Sequence, residues 1–203
     1  MTGHVTGETT TGAPVLREMR WWDIDPVLEL EKDLFPEDTW SRGMFWSELA
    51  HARGPEATRR YVVAELPAPD GPDGPDGAAG GARIVGYGGL VATGEQGDVQ
   101  TIAVARDHWG SGLGARLLTE LLRAATAFEC TEVMLECRVD NLRAQRLYER
   151  FGFEPIGFRR GYYQPGNVDA LVMRLADPAS ASPASPATPA TPVNGVEGTE
   201  THG

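Results

Sequence analysis

The sequence predicts a single domain of the α/β (α+β) class. Segments with helical periodicity of apolar residues alternate with short strand-like runs, in the order α-α-β-β-β-α-β-α-β-β. Apolar residues make up 41% of the chain, which is ordinary for a protein with one core. The length of 203 residues suits one domain with additional tails.

Two segments of low complexity flank this domain, and a third lies within it. Residues 1–14 are polar and rich in glycine and threonine, and residues 177–203 are rich in Pro, Ala, Ser and Thr. Both are predicted to be disordered tails, because they cannot bury enough apolar surface to offset the entropy of ordering. Residues 67–81 repeat Pro-Asp-Gly between two strand-like runs and are predicted to be a flexible hairpin insert. The folded domain is then residues 15–176.

Two helices are predicted at the start of the domain. Asp25 and Pro26 form a cap followed by a proline at the first helical position, and Phe35-Pro36 ends that helix. Ser41 caps a second helix, which runs toward Gly54.

Strands and two further helices account for the rest of the domain. Three successive strands are RRYVVAEL (59–66), ARIVGYGGLVAT (82–93) and DVQTIAV (98–104). A helix with a broad leucine stripe follows the glycines near residue 112, and EVMLECRV (132–139) is β-rich. In DNLRAQRLYERFG (140–152), Asp140 or Asn141 lies near the helix cap and Gly152 is the stop. Residues 153–175 read as a strand, a Pro-Gly turn and a closing strand.

The composition excludes several classes of function. The formal net charge of −11 disfavours binding to nucleic acid, which normally requires a basic surface. Neither a signal peptide nor an apolar run of the roughly 20 residues of a membrane helix is present, so a cytoplasmic protein is expected. Cys130 and Cys137 are expected to be reduced core thiols, and the four scattered histidines predict no metal site. The sequence does not determine the oligomeric state, for which a monomer is the expectation.

The segment WGSGLG (109–114) is the first candidate for a binding site. Glycine permits positive φ and close approach of a ligand, and a helix start offers unpaired N–H groups with a partial positive charge. Together these features favour an anion, above all a phosphate. The alternative without a ligand is a glycine-rich turn.

Two known phosphate motifs fit this segment poorly. A P-loop is excluded, because no Lys-Ser/Thr pair follows the final glycine. Gly110, Gly112 and Ala115 match the dinucleotide pattern GxGxx[GA], and Glu136 lies about twenty residues on, where a ribose-binding acid would be. However, five residues separate Val104, at the end of the strand, from the first glycine, whereas a Rossmann turn follows its strand directly.

The segment TIAVARDHWGSGLGARLL resembles the cofactor-binding segment of the Gcn5-related N-acetyltransferases (the GNAT family), whose pattern is Q/R-x-x-G-x-G/A after a strand. Gly112 and Gly114 match its glycines. Trp109 departs from the pattern at the Q/R position, which implies altered packing rather than lost binding, because that loop works chiefly through backbone amides.

A second segment, MLECRVDNLRAQRLYERFGF (134–153), strengthens the resemblance. It contains the family's N-x-x-A-x-x-L-Y-x-x-x-G-F pattern, here Asn141, Ala144, Leu147, Tyr148, Gly152 and Phe153. The resemblance extends over about residues 16–175 and is greatest to the bacterial enzymes that acetylate the N-terminal alanine of ribosomal protein S18. It implies a mixed central sheet flanked by helices, and acetyl-CoA as the co-substrate whose thioester a free amine attacks directly.

The resemblance also implies two catalytic residues. Glu136 would be the general base, acting directly or through a water, with its pKa raised toward the working pH by burial in the apolar run VMLEC. Its alternative is an acid at the edge of a sheet, paired with Arg138. Tyr148 would be the general acid aimed at the CoA sulfur, and its alternative is a core tyrosine.

Further residues are candidates for contacts with the cofactor. The backbone of the TIAV strand, where the family has a bulge, would polarise the carbonyl, and Asn141 would hold the pantetheine or only cap its helix. Because CoA is anionic and the protein acidic, Arg106, Arg116 and Arg143 are expected near the loop, or else as solvated charges. The resemblance implies cofactor contacts at Ile102, Val104, Trp109, Gly110, Ser111, Gly112, Leu113, Gly114, Ala115 and Asn141.

The acceptor side is less well specified. By the resemblance, the stretch Phe35–Trp40 and the pair Tyr162 and Tyr163 border the acceptor groove, and an acidic rim would suit the basic N-terminus of ribosomal protein S18. The two tyrosines are alternatively simple strand residues. Other acceptors, namely a lysine, another N-terminus or a small-molecule amine, stay open. A non-catalytic acyl-CoA-binding module is the third alternative.

Overall fold

The computed structural model describes residues 12–67 and 82–181. The predicted insert 67–81, apart from Pro67, lies outside these ranges, as do most of the predicted tails 1–14 and 177–203. Seven strands form one sheet in the order β1-β2-β3-β4-β5-β7-β6. These are β1 (Val15–Glu18), β2 (Arg59–Leu66), β3 (Arg83–Thr93), β4 (Gln96–Val104), β5 (Glu132–Arg138), β6 (Glu154–Tyr163) and β7 (Val168–Ala176).

Four α-helices accompany the sheet in residues 12–67 and 82–181, and the predicted fold class is confirmed. They are α1 (Ile24–Leu34), α2 (Arg42–Ala50), α3 (Leu113–Ala127) and α4 (Leu142–Arg150). All predicted helices and strands occur in the predicted order. The first helix begins at Ile24, two residues earlier than expected, so Asp25 and Pro26 are inside its first turn, and the second ends at Ala50 rather than near Gly54.

The sequence did not predict β1. This strand has only four residues, lies at the edge of the sheet and pairs antiparallel with β2 through Val15 to Glu18. Its residues alternate too briefly to produce a detectable period of two.

The two faces of the sheet are covered by different helices. On one face, Leu117 and Leu121 of α3 are fully buried with residues of β3, β5 and α4, which confirms the predicted leucine stripe. On the other face, Ile24 and Val27 of α1 and Phe45 of α2 pack against β2 and β3. Each fully buried side chain of this size contributes about 1.5–3 kcal/mol.

The sheet opens between its two central strands. β4 and β5 pair in parallel only from Gln96 to Val99, against Glu132 to Leu135. At that point β4 has a bulge, because Gly89 opposes Thr101 and Leu90 opposes Val99, which leaves Gln100 without a partner on β3. A bulge bends and twists its strand. Beyond it, Thr101–Val104 pairs only with β3, so the edge of β4 that faces the opening carries backbone groups without a strand partner.

The described part of the chain continues past the predicted end of the domain at Ala176. A short 3-10 helix, Pro178–Ser180, lies against α3, Pro178 is buried, and Ala181 packs on the core. The amide of Asp177 donates to the carbonyl of Thr131 at 3.0 Å. Residues 177–181 therefore pack on the domain beyond its predicted end at residue 176.

We expect two C-terminal truncations to differ in stability. A chain that ends at Ala176 loses the buried Pro178 and should be less stable by about 1–2 kcal/mol, which corresponds to a melting temperature lower by roughly 2–8 °C. A chain that ends at Ala181 should melt with the full-length protein in calorimetry. Equal melting temperatures for both truncations would contradict the packing role of residues 177–181.

Candidate active site

Two glycines between β4 and α3 have the left-handed backbone that favours this residue. Gly110 has φ +81° and Gly112 has φ +84°. A Cβ atom at either position would meet nothing within 4 Å, so the backbone angle, and not space, requires glycine. Gly112 directly precedes α3, and its conformation turns the loop across the start of that helix.

The loop presents several unpaired backbone amides. Among the described residues, no acceptor lies within hydrogen-bond distance of the N–H groups of Gly110, Gly112, Gly114 and Ala115. Gly110, Ser111 and Gly112 are exposed, and Gly114 and Ala115 are partly exposed. Unpaired amides at the positive end of a 15-residue helix form an anion site of the kind that binds phosphate.

Three residues of the loop that were predicted to contact the cofactor make contacts within the protein. Leu113 is buried in the core, and its amide is bound to the Ser111 hydroxyl at 3.4 Å, so neither its side chain nor its N–H faces the site. The Ser111 hydroxyl in turn donates to the carbonyl of His108 at 2.7 Å. A Cβ atom on Gly114 would lie 3.4 Å from Leu147, so this glycine brings α3 close to α4.

Trp109 is fixed to the end of β4. Its indole Nε1 donates to the carbonyl of Val104 at 2.8 Å, and 44% of the residue is exposed. The guanidinium of Arg143, in the first turn of α4, stacks on the ring with 3.6 Å between its carbon and the ring centroid. The guanidinium carbon of Arg106 is also near this ring, 5.3 Å from its centroid. The structure thus brings Trp109 together with two of the three predicted arginines.

The third arginine, Arg116, is directed away from the loop, since it donates to the carbonyl of Pro14 at 2.8 Å. Arg106 is also engaged, because it binds the carboxylate of Asp33 at 3.2 Å. No salt bridge to Arg143 is found in the part of the chain that the structure describes.

The start of α4 confirms one of the two expected uses of Asn141. Its Oδ1 accepts a hydrogen bond from the amide of Ala144 at 3.1 Å, so it caps the helix. Gly152, with φ +89°, follows the end of the same helix, as predicted.

Tyr148 is buried on the inner face of α4. Only 5% of it is exposed, and its ring packs 5.8 Å from that of Phe153. Its hydroxyl has no hydrogen-bond partner among residues 12–67 and 82–181. Burial raises the pKa of Tyr148, so the hydroxyl stays protonated and remains a donor through neutral pH.

Glu136 differs from the sequence-based expectation. The residue lies on the face of β5 opposite to α3, its side chain is 27% exposed, and its carboxylate binds Arg159 at 3.1 Å. The expected burial in the apolar run is therefore wrong, because alternate residues of a strand face opposite sides. The expected alternative partner is also wrong, since Arg138 binds Asp140 at 3.0 Å instead.

The hairpin of β6 and β7 contacts Glu136. The hydroxyl of Tyr163 donates to the backbone carbonyl of Glu136 at 3.3 Å, and burial raises the pKa of Tyr163. Tyr162 is exposed, and its ring forms a T-shaped pair with Tyr163 at 5.1 Å. Arg159, which sequence analysis missed, bridges from Glu136 to the ring of Tyr162. Both predicted tyrosines thus lie beside the candidate base.

An acidic segment lies opposite this hairpin. A Cβ atom on Gly166, in the β6–β7 turn, would be 3.8 Å from the carboxylate of Glu37, in the segment between α1 and α2. The charge of Glu37 also acts on Arg138, and that of Asp38 on Tyr163. The predicted border Phe35–Trp40 is therefore next to the hairpin.

A buried acid beneath the site escaped sequence analysis. Glu31 of α1 is 1% exposed and accepts a hydrogen bond from the hydroxyl of Tyr87, which accepts one from Thr101 at 3.4 Å. The Oε2 atom of Glu31 is buried without a partner among the described residues. These two hydrogen bonds connect α1 to Thr101, the residue that follows the bulge in β4. In sequence, Glu31 resembles a solvated helix charge, so no local signal indicated its burial.

We expect Glu31→Gln to change how stability depends on pH. Burial raises the pKa of Glu31 in the folded chain. Its contribution is therefore complete below the ordinary carboxyl pKa and is lost as the pH rises through the folded pKa. Glutamine stays neutral and still accepts from Tyr87, so the variant should gain stability over the wild type as the pH rises, measured by urea unfolding. A difference that is constant with pH would contradict this, and Glu29→Gln, at an exposed position of the same helix, is the control.

Other classes of site lack support in the described ranges. Within residues 12–67 and 82–181, no helix has the length and apolar character to cross a membrane. The same ranges contain no group of three His, Cys, Asp or Glu residues placed to hold a metal ion. Cys130 and Cys137 are buried free thiols.

Comparison with known proteins gives consistent matches. The family model described as "Acetyltransferase (GNAT) family" matches residues 24–153. A putative ribosomal protein bS18-alanine N-acetyltransferase of Bacillus subtilis is 32% identical over 158 residues, which is 78% of this chain and 92% of that protein. The N-alpha-acetyltransferase RimI of Mycobacterium tuberculosis is 36% identical over 157 residues, which is 75% of this chain and 85% of that protein.

A solved structure shares the fold. The crystal structure of the ribosomal-protein-S18-alanine N-acetyltransferase from Escherichia coli superposes with a TM-score of 0.63 at 22% identity, over 81% of this chain and 94% of that one.

Proposed function

The chain belongs to the acetyltransferase (GNAT) family and is an N-acetyltransferase, and from this premise we propose that it transfers the acetyl group of acetyl-CoA to the α-amine of a protein N-terminus. The observation that carries the proposal is the opening between β4 and β5, with unpaired loop amides at one end and Glu136 and Tyr148 on the strand and helix that border it.

The residues present fit the cofactor. The amides of Gly110, Gly112, Gly114 and Ala115 would hold the diphosphate, because they are unpaired and no side chain of the two exposed glycines covers them. The edge of Thr101–Val104 that faces the opening, apart from the Val104 carbonyl that Trp109 binds, would hydrogen-bond the pantetheine, as a strand does. Acetyl-CoA supplies a thioester that a free amine attacks directly, so no covalent enzyme intermediate is needed.

Glu136 and Tyr148 would move the two protons of the reaction. The carboxylate of Glu136, held by Arg159, accepts a proton from the incoming α-ammonium group, through a water. An α-amino group has a pKa of roughly 7.7–8.0 against about 10.4 for lysine, so it is deprotonated more readily near neutral pH. The hydroxyl of Tyr148, which is protonated at neutral pH, donates a proton to the departing sulfur.

The acceptor we propose is the N-terminal alanine of ribosomal protein S18. Support comes from the similarity to the putative bS18-alanine N-acetyltransferase of Bacillus subtilis, 92% of whose length the match covers. The acidic residues Glu37 and Asp38 beside the hairpin would attract a basic N-terminal segment. The reaction would then occur in the cytoplasm, where ribosomal proteins are made.

A peptide assay with acetyl-CoA tests this proposal. One peptide begins with Ala-Arg and follows the S18 N-terminus, a second has that terminus blocked and contains an internal lysine, and a third has the first residue changed to a bulky one. Acetylation of the first peptide alone supports the proposal. Product on the lysine peptide would assign a different acceptor, and cofactor binding without product on any peptide would indicate a non-catalytic acyl-CoA-binding module.

A further inference from the structure

Trp109 holds a position that carries Gln or Arg in the phosphate-loop pattern of the family. The indole cannot supply the positive charge or the multiple donors of an arginine. Its single N–H group is moreover used inside the protein, because it donates to the carbonyl of Val104 at 2.8 Å. The ring is thereby fixed to the end of β4, with one face toward α4.

Arg143 occupies that face. Its guanidinium carbon is 3.6 Å from the ring centroid, well within the range of a cation–π contact, which is about 6 Å. Stacking leaves the donors of the guanidinium, which lie in its plane, free for an anion. The residue is exposed, and the described residues contain no carboxylate in salt-bridge distance of it.

The neighbouring arginines are not equivalent to Arg143. Arg106 is bound to Asp33, and Arg116 is bound to the carbonyl of Pro14. Arg143 is therefore the arginine at this loop that is held in place by a ring while its donors have no protein acceptor among the described residues. Because the chain has a net charge of −11, an anionic ligand needs such a local cation more than it would in a neutral protein.

We propose that Trp109 and Arg143 act as one unit that replaces the charged side chain of the loop: Trp109 holds Arg143, and the guanidinium of Arg143 binds a phosphate group of CoA. This inference rests on the proposed function. CoA has two sources of phosphate, the diphosphate and the 3′-phosphate of the ribose. In this unit Trp109 is a positioning residue and Arg143 is the binding residue.

Calorimetry with the full-length protein tests the role of Arg143. We expect Arg143→Ala to weaken CoA binding about ten-fold or more, the effect of losing one charge-assisted hydrogen-bonded contact. Binding of pantetheine, which has no phosphate, should not change. In the acetylation assay the KM for acetyl-CoA should rise while kcat at saturation stays at the wild-type value. Arg146→Ala is the matched control, because this exposed arginine is one turn further along the same helix.

Dephospho-CoA, which lacks only the 3′-phosphate, identifies the phosphate that is bound. If Arg143→Ala weakens dephospho-CoA as much as CoA, the guanidinium binds the diphosphate. If dephospho-CoA binds the wild type and Arg143→Ala equally, the guanidinium binds the 3′-phosphate of CoA. The inference is overturned if CoA binds wild type and Arg143→Ala equally, or if pantetheine suffers the same loss as CoA.

A double-mutant cycle tests whether Trp109 acts through Arg143. Trp109→Ala should weaken CoA, and adding Arg143→Ala should weaken it little further, because one unit can be lost only once. Trp109→Phe, which keeps a ring but loses the bond to Val104, provides a cycle with smaller disturbance of the loop. Fully additive losses in both cycles would overturn the positioning role.

The two proposals fail in different ways. If the wild-type chain shows no heat of binding with CoA at millimolar concentration, the proposed function fails. If the wild type binds CoA and Arg143→Ala binds it equally well, only the present inference fails.

Discussion

Replacing Tyr148 with phenylalanine is expected to lower kcat by about 10²–10⁴-fold, the usual contribution of a general acid. The substitution removes one hydroxyl and keeps the ring that packs against Phe153. The hydroxyl has no partner among the described residues whose loss would disturb the fold. The fall in rate should therefore occur with little change in the melting temperature or in the affinity for CoA.

The control for this variant is Tyr61→Phe. Tyr61 is also a buried tyrosine, but it belongs to the core on the opposite face of the sheet, where its hydroxyl donates to Glu48 at 3.2 Å. We expect a kcat close to that of the wild type. Because the pKa of Tyr148 is raised by burial, ionisation of its hydroxyl should limit the wild-type rate only well above the usual pKa of tyrosine. A near-normal kcat for Tyr148→Phe would assign this residue to the core alone.

Glu136→Gln is expected to have an effect of similar size, a fall in kcat of about 10²–10⁴-fold, because the amide cannot accept a proton from the amine. The side chain keeps its shape, and the hydrogen bond from Tyr163 to the backbone carbonyl of residue 136 is retained. Initial rates should be measured with a free N-terminal peptide over a range of pH. If the role is that of a base, the rate of the variant should recover partly at alkaline pH, where more of the amine is already deprotonated.

Two further variants separate chemistry from ion pairing. Glu132→Gln is the matched control, since Glu132 lies on the same strand and face and binds Arg174 at 2.6 Å. It should leave kcat unchanged. Arg159→Met removes the partner of Glu136 but leaves the carboxylate, so its effect should be much smaller than that of Glu136→Gln. Equal losses for Glu136→Gln and Arg159→Met would show that the pair acts only through structure.

Features encoded within a few residues were predictable from the sequence. The leucine stripe of α3, the cap at Asn141 and the left-handed glycines Gly110 and Gly112 all depend on local periodicity or local backbone geometry, and the structure contains them. The loop itself was located by its glycines, whose meaning does not depend on distant contacts.

Features that depend on strand register were not predictable. Glu136 and Arg159 are 23 residues apart, and they meet because both β5 and β6 pair with β7, where Glu136 opposes Val172 and Arg159 opposes Ala170. The same holds for Glu31, whose burial depends on α1 lying across Tyr87 of β3. In each case the sequence supplies a charged side chain, and only the tertiary arrangement determines whether it is solvated, paired or buried.

The short pairing of β4 with β5 has a consequence for the behaviour of the whole sheet. Only four residues of each strand join the half that contains β1–β4 to the half that contains β5, β7 and β6. An extended ligand that hydrogen-bonds the edge of Thr101–Val104 would continue the pairing between the two halves where β5 does not reach. Binding would then join the two halves of the sheet and raise the free energy of unfolding by RT ln(1 + [L]/Kd).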